Sequence, residues 1–154
     1  MTYHNPWYYN GEILNEEDVE DYVGMVYLLE NTENGRKYVG KKFFHRKKTY
    51  QVKKKKKKKT VQSDWKDYYG SSKELLEDIE KIGKDKIRRT VLHLCKSKTQ
   101  CSYYELYCQM ISHALLRDDF YNGFVGGKIN GKNIKDDINE VISLDARVRN
   151  FLRD

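Results

Sequence analysis

Long apolar runs are absent from this chain, and cysteine is scarce. No stretch of about 18 consecutive apolar residues occurs, so neither a membrane-spanning helix nor a membrane partner is expected. The chain has three cysteines, Cys95, Cys101 and Cys108. Three thiols cannot all pair with one another, and a chain of 154 residues does not need disulfide bonds for stability, so a reducing cytoplasm is the expected compartment.

Basic residues are missing from the N-terminal segment, and phosphate-binding glycine loops are missing from the sequence. Residues 1–24 contain six acidic side chains and no Lys or Arg, which excludes the basic start of a secretory signal peptide. Glycine clusters at 123–127, after a predicted helix rather than before one, so the loop that nucleotide hydrolases use is absent. His93 and the cysteines lack the paired spacing of a structural zinc site, and buried thiols explain them better.

Positive charge is abundant, and it is concentrated in one segment. The 154 residues are 38% apolar and 34% charged, a balance that supports one domain around a single core. Residues 41–60 contain twelve Lys or Arg and no acid, and removing those twelve charges from the total of +7 leaves −5 for the rest. A dense basic segment on a weakly acidic body predicts nucleic acid as the partner. A solvated loop that only aids solubility is the alternative.

The pattern of β-forming and turn residues predicts a β-hairpin. Met25–Asn31 and Arg36–Lys41 are rich in β-formers, and Asn34-Gly35 between them is a typical hairpin turn, because both residues tolerate positive φ. Ahead of this hairpin, Asn15–Val19 is predicted to form a capped acidic helical turn.

Helical spacing and strand alternation define the remaining elements. Ser71 and Glu74 match a capping box ahead of apolar residues at helical spacing. The predicted elements are a helix over 72–82, a third strand over 87–95, a long helix over 99–116 and a terminal helix carrying Ile138, Val141, Ile142, Val148 and Phe151. The expected fold class is α/β, a small three-stranded antiparallel sheet flanked by helices.

Two tyrosine motifs on the predicted hairpin resemble the signature of a nuclease family. A Met-Val-Tyr motif ends at Tyr27 and a Tyr-Val-Gly motif begins at Tyr38, which is the spacing of the two-part GIY-YIG signature. Gly-Lys-Lys after the second motif and Ser-Asp-Trp-Lys-Asp-Tyr-Tyr-Gly at 63–70 are similar to small phage-encoded homing-type endonucleases of that family. The resemblance covers about residues 24–123.

The resemblance also divides the chain into segments. A GIY-YIG-like nuclease domain is expected over 24–125, with a basic insertion at 41–62. Residues 1–23 are expected to form an acidic extension packed on this domain, and residues 126–154 a helical C-terminal extension. No separate DNA-reading domain is expected, so target readout would come from loops, from the C-terminal segment or from a homodimer.

The resemblance implies a set of catalytic residues. Tyr27 and Tyr38 stand at the two signature tyrosines, Glu105 at the metal-binding glutamate, and Asn122 in the family's late Tyr-Asn pair. Downstream of the hairpin, the helix that begins near residue 72 corresponds to the family's middle helix.

Two positions depart from the family pattern. Met25 replaces the glycine of the first motif. The family's arginine lies on a helix about eight residues beyond the second motif, and that position is Lys48 here, with Arg46 two residues before it. Two residues differ by about 200° around a helix, so both cannot face the same way. Arg46 is favoured because a guanidinium binds a phosphate bidentately and an ammonium does not.

These residues and the resemblance predict a metal-dependent DNA endonuclease that hydrolyses phosphodiester bonds, and a homing type is one option that the resemblance offers. One carboxylate, Glu105, would suffice for Mg²⁺ or Mn²⁺, since Mg²⁺ keeps most of its waters and takes few protein ligands. Tyr27 is the predicted general base, with Lys42 or Arg46 favouring its phenolate. Tyr38 is expected to orient water or phosphate.

Double-stranded DNA is the expected partner, held chiefly by lysines. The lysine tract at 53–59 is expected to stay mobile until an anion neutralises it, and then to act as a clamp. The predicted DNA-contacting residues are Lys41, Lys47, Lys48, Lys53, Lys54, Lys55, Lys56, Lys57, Lys58, Lys59 and Trp65.

Simpler interpretations of the same residues stay open from sequence alone. Paired tyrosines on a hairpin are commonly cross-strand packing. Glu105 would cap its helix if that helix began at Ser102, and Asn122 before Gly123 is a typical helix-terminating turn residue. For the whole protein, the alternatives are a non-catalytic nucleic-acid-binding module on the same fold, an RNase, or a junction-selective nuclease.

Overall fold

The computed structural model describes residues 3–123, residue 126 and residues 134–152. Its strands are β1 (Tyr8–Tyr9), β2 (Glu12–Ile13), β3 (Gly24–Asn31), β4 (Lys37–Phe43), β5 (His45–Val52), β6 (Lys55–Gln62) and β7 (Ile87–Cys95). Its α-helices are α1 (Lys73–Ile82), α2 (Lys98–Ile111) and α3 (Ile138–Phe151). Among the described helices, none has the length and apolar character needed to cross a membrane.

The central sheet is larger than the three strands that the sequence predicts. Its order is β2-β1-β7-β3-β4, and β3 pairs antiparallel with β4 and β7, which confirms the three predicted strands as its core. The correction is at the far edge, where β1 and β2 add a short hairpin and β1 runs parallel to β7. Strands of two residues are too short for an alternating pattern to reveal them.

The β3–β4 hairpin forms where the turn residues predict it. Gly35 has a φ of +74°, a backbone conformation that glycine adopts without a steric cost. The side-chain oxygen of Asn34 accepts a hydrogen bond from the backbone N–H of Arg36 at 2.9 Å. This turn sets a register in which Tyr27 lies opposite Gly40, and Leu29 lies opposite Tyr38.

Alternate residues of β3 point to two separate cores, one on each face of the sheet. Tyr27 and Leu29 pack in one core with Leu75 and Ile79 of α1. The neighbouring residues of β3 enter the other core, which α2 and α3 cover; its members include Val26, Leu28, Cys101, Tyr104, Cys108, Leu144 and Val148. The three cysteines are buried free thiols. Helix α1 therefore covers one face of the sheet and helices α2 and α3 cover the other, as the predicted sheet flanked by helices requires.

Capping serines fix where α1 and α2 begin. The Ser72 hydroxyl accepts a hydrogen bond from the Leu75 N–H at 3.3 Å, so Ser72 rather than the predicted Ser71 is the cap of α1. The Ser97 hydroxyl caps α2 by accepting from the Gln100 N–H at 3.0 Å. Helix α2 ends at Ile111, short of the predicted residue 116, because the chain enters the left-handed region at His113, with φ +55°.

The basic insertion forms a two-stranded antiparallel ribbon, β5–β6, which corrects two expectations. The sequence predicted a helix bearing Arg46 or Lys48, and a mobile lysine tract. Instead, β5 carries both residues and β6 carries most of the tract, with the turn at Lys53 and Lys54. Thr and Val residues in both strands, together with Tyr50 in β5, favour extended backbone, and Lys47 donates a hydrogen bond to Thr60 across the ribbon. Nearly every side chain of the ribbon is exposed.

Candidate active site

Tyr27 and Gly40, one from each tyrosine motif, lie opposite one another on β3 and β4, and neither is among the residues that line the cavity next to Tyr38. A methyl group added to Gly40 would collide with the Tyr27 hydroxyl and would lie 2.9 Å from the Tyr38 ring. Only glycine at this position lets the Tyr27 hydroxyl extend across β4, which is the edge strand of the sheet. The pairing of β3 with β7 also shifts register between Val26 and Tyr27. A bulge of this kind changes the direction in which the Tyr27 side chain leaves the strand.

Tyr27 is almost fully enclosed by aromatic rings, with 1% of its surface exposed. The ring centroids of Trp7, Tyr68 and Tyr38 lie 5.2, 6.0 and 6.3 Å from its own. Burial raises the pKa of Tyr27 well above its ordinary value, and Tyr68, Tyr38 and Glu105 raise it further. Tyr27 therefore holds its proton in the free protein.

Lys42 and Arg46 do not act on Tyr27 as the sequence led us to expect. The Lys42 ammonium lies 2.7 Å from the Asp64 carboxylate and 4.1 Å from the Tyr68 ring centroid. Arg46 is exposed on β5, opposite Val61. Neither cation is among the groups that shift the pKa of Tyr27, so the expected lowering of that pKa is corrected.

A polar cavity of about 480 Å³ lies beside the edge of β4. Tyr38, Glu105 and Asn122 all line it, so three of the residues predicted to act together do converge. The Tyr38 hydroxyl is 3.1 Å from the Ser71 hydroxyl, which links β4 to the start of α1. Burial raises the pKa of Tyr38 from its ordinary value, although the hydrogen bond with Ser71 opposes the shift.

Glu105 presents a half-buried carboxylate to this cavity from the second turn of α2. Because α2 begins at Lys98, the helix-capping alternative for Glu105 is excluded. The Lys41 ammonium lies 3.8 Å from the carboxylate. Burial raises the pKa of Glu105, and Lys41 opposes that shift. The ammonium itself donates to the Ser102 hydroxyl at 2.8 Å, so it does not occupy the carboxylate fully.

The donor set around Glu105 fits a hard cation that takes most of its ligands from elsewhere. Among the described residues, no group of three or more His, Cys, Asp and Glu side chains is placed to share a metal ion. A single carboxylate at a polar cavity is nevertheless sufficient for Mg²⁺, which retains several waters and binds substrate phosphate. Glu105 is therefore the residue that would hold such an ion.

Asn122 clamps the edge strand. Its side-chain oxygen accepts from the Val39 N–H at 3.1 Å, and its side-chain nitrogen donates to the Val39 carbonyl at 2.8 Å. The Gln109 amide donates to the same carbonyl at 3.1 Å. Since Val39 stands between Tyr38 and Gly40, these bonds hold both positions against the cavity. Gln109 was not predicted as a site residue, because no pattern in the neighbouring sequence indicates that this side chain is buried.

Tyr121 ties the hairpin turn to α1. Its hydroxyl donates to the Asp78 carboxylate at 2.7 Å and accepts from the Asn31 amide at 3.0 Å. The Arg36 guanidinium lies 4.0 Å from the centre of its ring. This cluster holds α1 against the hairpin through Asp78, and the first residue of α1, Lys73, also lines the cavity. Lys73 is a cation that the sequence analysis missed, although the Ser-Ser-Lys run before α1 marks the place.

The predicted DNA-contacting residues divide into two groups. Trp65 has no exposed surface, and its carbonyl accepts the Trp7 indole N–H at 2.7 Å, so the prediction that Trp65 contacts DNA is corrected: this ring belongs to the core. Lys41 lies beside Glu105 at the sheet edge. The remaining predicted lysines are exposed on the β5–β6 ribbon and lie outside the set of residues that line the cavity.

Comparison with known proteins identifies the domain. The family model described as "Putative endonuclease segE, GIY-YIG domain" matches residues 7–125. No curated protein and no solved structure matches the chain. The matched segment takes in β1 and β2 as well as the tyrosine motifs, the ribbon, α1 and α2, and it covers well over half of the sequence. The chain therefore belongs to the GIY-YIG family of endonuclease domains.

Proposed function

We propose that this protein is a DNA endonuclease that requires Mg²⁺ or Mn²⁺ and hydrolyses phosphodiester bonds at the cavity beside β4. The observation that supports this most strongly is the convergence of the Glu105 carboxylate and the Tyr38 hydroxyl on one polar cavity, next to a tyrosine whose hydroxyl overlies Gly40. The divalent ion, when bound, stabilises negative charge on the phosphoryl oxygens.

The residues of the chain have distinct tasks in this proposal. Glu105 holds the ion, and Tyr38, whose hydroxyl is at the cavity, orients the scissile phosphate or the attacking water. In the fraction of molecules in which Tyr27 has first released its own proton to solvent, the phenolate oxygen beside Gly40 accepts the proton of that water. Asn122 keeps Tyr38 and Gly40 in place through Val39. Lys73 adds positive charge at the cavity and would attract the phosphate.

The DNA itself is held largely outside the cavity. The β5–β6 ribbon is densely cationic and exposed, and each lysine that neutralises a phosphate adds about 0.9 to the dependence of log affinity on log salt. Lysines that meet phosphates do not read bases. The ribbon therefore supplies affinity, and the homing type of activity would need sequence readout from another part of the molecule.

A non-catalytic nucleic-acid-binding role is the second candidate. Two observations favour it: the pKa of Tyr27 is raised rather than lowered, and the carboxylate of Glu105 already has the Lys41 ammonium 3.8 Å away. On that account, the fold and the ribbon would be retained while the chemistry was lost.

Incubation with supercoiled plasmid separates the two candidates. The wild-type protein with Mg²⁺ is expected to convert the plasmid to nicked or linear DNA, and EDTA is expected to stop the conversion. Retarded but uncut plasmid in both conditions would favour the non-catalytic role. Cleavage that persists in EDTA would remove the metal from the proposal, and preferential cutting of RNA or of branched DNA would redefine the substrate.

A further inference from the structure

The β5–β6 ribbon has two faces of different chemistry, because side chains alternate along each strand and residues opposite one another share a face. We define the Tyr50 face by Arg46, Lys48, Tyr50, Val52, Lys55, Lys57 and Lys59. We define the Thr60 face by Lys47, Thr49, Gln51, Lys56, Lys58 and Thr60. Two side-chain contacts agree with this division: Lys59 lies 5.7 Å from the Tyr50 ring centroid, and Lys47 donates to Thr60.

We infer that the Tyr50 face is the surface of the ribbon that contacts DNA. The inference rests on the proposed function, since it names the surface that holds the same substrate. Charge density is the first reason: the Tyr50 face carries five of the cations, whereas the Thr60 face carries three among neutral hydroxyl and amide side chains.

Like charges across the ribbon are the second reason. Lys48 and Lys59 lie directly opposite one another on the Tyr50 face. Such a pair destabilises a sheet unless an anion lies between the two ammonium groups or beside them. On the Thr60 face, the cations lie opposite Thr60, Thr49 and Gln51 instead. A phosphate therefore relieves a repulsion on one face that is absent on the other.

Exposed apolar surface is the third reason. Tyr50 and Val52 are 37% and 40% exposed, and both lie on the Tyr50 face. The lysines of β6 on this face repeat every second residue, roughly 6.6 Å apart along the strand, which is comparable with the spacing of successive phosphates along a DNA strand. A duplex on this face would meet a row of cations and cover the Tyr50 ring.

The width of the ribbon fits a duplex as partner. A two-stranded antiparallel ribbon is one of the two elements that the major groove of B-form DNA admits, whereas the deep and narrow major groove of A-form RNA excludes it. Duplex DNA is therefore the occupant that the shape and charge of the ribbon favour together.

Two matched triple variants of the full chain test the inference. One replaces Lys55, Lys57 and Lys59 with Thr, and the other replaces Lys47, Lys56 and Lys58 with Thr. Each variant loses three charges from the same ribbon and keeps β-forming residues, so the ribbon remains compatible with both sequences. Binding to a labelled DNA duplex is measured by fluorescence anisotropy in EDTA, which prevents cleavage, over a series of KCl concentrations.

The first variant is expected to lower the slope of log affinity against log salt by about 2.7, and the second by less than about 1. Equal losses of slope in the two variants, or no loss in either, would overturn the face assignment. Tighter binding to duplex RNA of the same sequence than to DNA would overturn DNA as the occupant. Plasmid cleavage by the wild-type protein is a separate readout, so the face assignment can fail while the nuclease proposal stands.

Discussion

The cavity beside β4 and the β5–β6 ribbon are close in sequence and opposite in construction. Most side chains that line the cavity are buried or half-buried, and the neighbouring contact of the Tyr27 hydroxyl with Gly40 leaves no space for even one methyl group. The ribbon is exposed along nearly its whole length, and its main feature is its positive charge rather than a shaped cavity. We therefore expect the cleavage rate to change when single atoms at the cavity are added or removed. DNA binding should depend instead on how many cations the ribbon carries and on which of its faces they lie.

Removing the Tyr27 hydroxyl should have the largest effect within this comparison. Tyr27→Phe is expected to lower cleavage by about 10²-fold to 10⁴-fold, because a proton acceptor is lost while the ring still packs. Tyr38→Phe is the matched variant and should lower cleavage less, since its hydroxyl only orients. Single-turnover rates at saturating DNA are the measurement. Equal residual rates in the two variants would contradict a division of roles between the tyrosines.

The pH dependence of the cleavage rate tests the same role of Tyr27 as a base. A base must be deprotonated to act, and the pKa of Tyr27 is raised well above its ordinary value. The wild-type rate should therefore rise by about tenfold per pH unit between about pH 6 and 9 without levelling off. A flat profile over that range would count against a tyrosine base.

Adding one methyl group at the centre of the site should be the next most damaging change. Gly40→Ala is expected to cost roughly 1–3 kcal/mol of stability through overpacking and to lower cleavage strongly, because the Tyr27 hydroxyl must move. Gly123→Ala is the control for stability, since a methyl group there would meet no atom of the described residues within 4 Å, although Gly123 itself lines the cavity. Thermal unfolding and cleavage are measured for both. A Gly40→Ala protein that matches Gly123→Ala in both assays would contradict the packing described for Tyr27.

Removing the charge of the lysine tract should change binding and leave chemistry intact. The variant carries Asn-Gly at 53–54 and Thr at 55–59; Lys53 and Lys54 have φ values of +49° and +64°, which Asn-Gly accepts more readily. Because Lys55, Lys57 and Lys59, with up to two lysines of the turn, would no longer neutralise about three to five phosphates, the salt slope of affinity should fall by roughly 2.7 to 4.5 units. The rate at saturating DNA should stay near the wild-type value. An unchanged slope would return the tract to a role in solubility alone.

Single cations at the base of the ribbon should have the smallest effects. Arg46 and Lys48 both lie on the Tyr50 face and outside the residues that line the cavity. Arg46→Ala and Lys48→Ala should therefore each weaken DNA binding by a few-fold and leave the saturating rate unchanged. A saturating rate that falls tenfold or more in only one of the two would assign that residue to the chemistry, as the family's arginine pattern suggested.

The sequence predicts the elements that have a strong local pattern. Strands β3, β4 and β7 follow from runs of β-formers, and α1 follows from its serine and its apolar spacing. Strands β1 and β2 have too few residues for any period to show. The ribbon was missed because seven consecutive lysines carry no alternation, although their neighbours in β5 favour extended backbone.

The site could be predicted as a set of residues but not as an arrangement. Tyr38, Glu105 and Asn122 were expected together on the strength of the family resemblance, and they do line one cavity. The burial of Tyr27 and the need for Gly40 depend on the register of two strands, which no single residue reveals. The proximity of the Lys41 ammonium to Glu105 likewise depends on how α2 packs against β4.

Glu105→Gln measures the central claim most directly, because the amide keeps the shape of the side chain and removes its charge. Cleavage with Mg²⁺ and DNA binding in EDTA are compared with those of Glu77→Gln, an exposed position on α1 that loses the same charge away from the cavity. We predict that Glu105→Gln cleaves at least about 100-fold more slowly and binds DNA as the wild type does, while Glu77→Gln changes neither. A Glu105→Gln protein that cuts at the wild-type rate would contradict the account, and a lowered melting temperature with activity retained would leave Glu105 only a packing role beside β4.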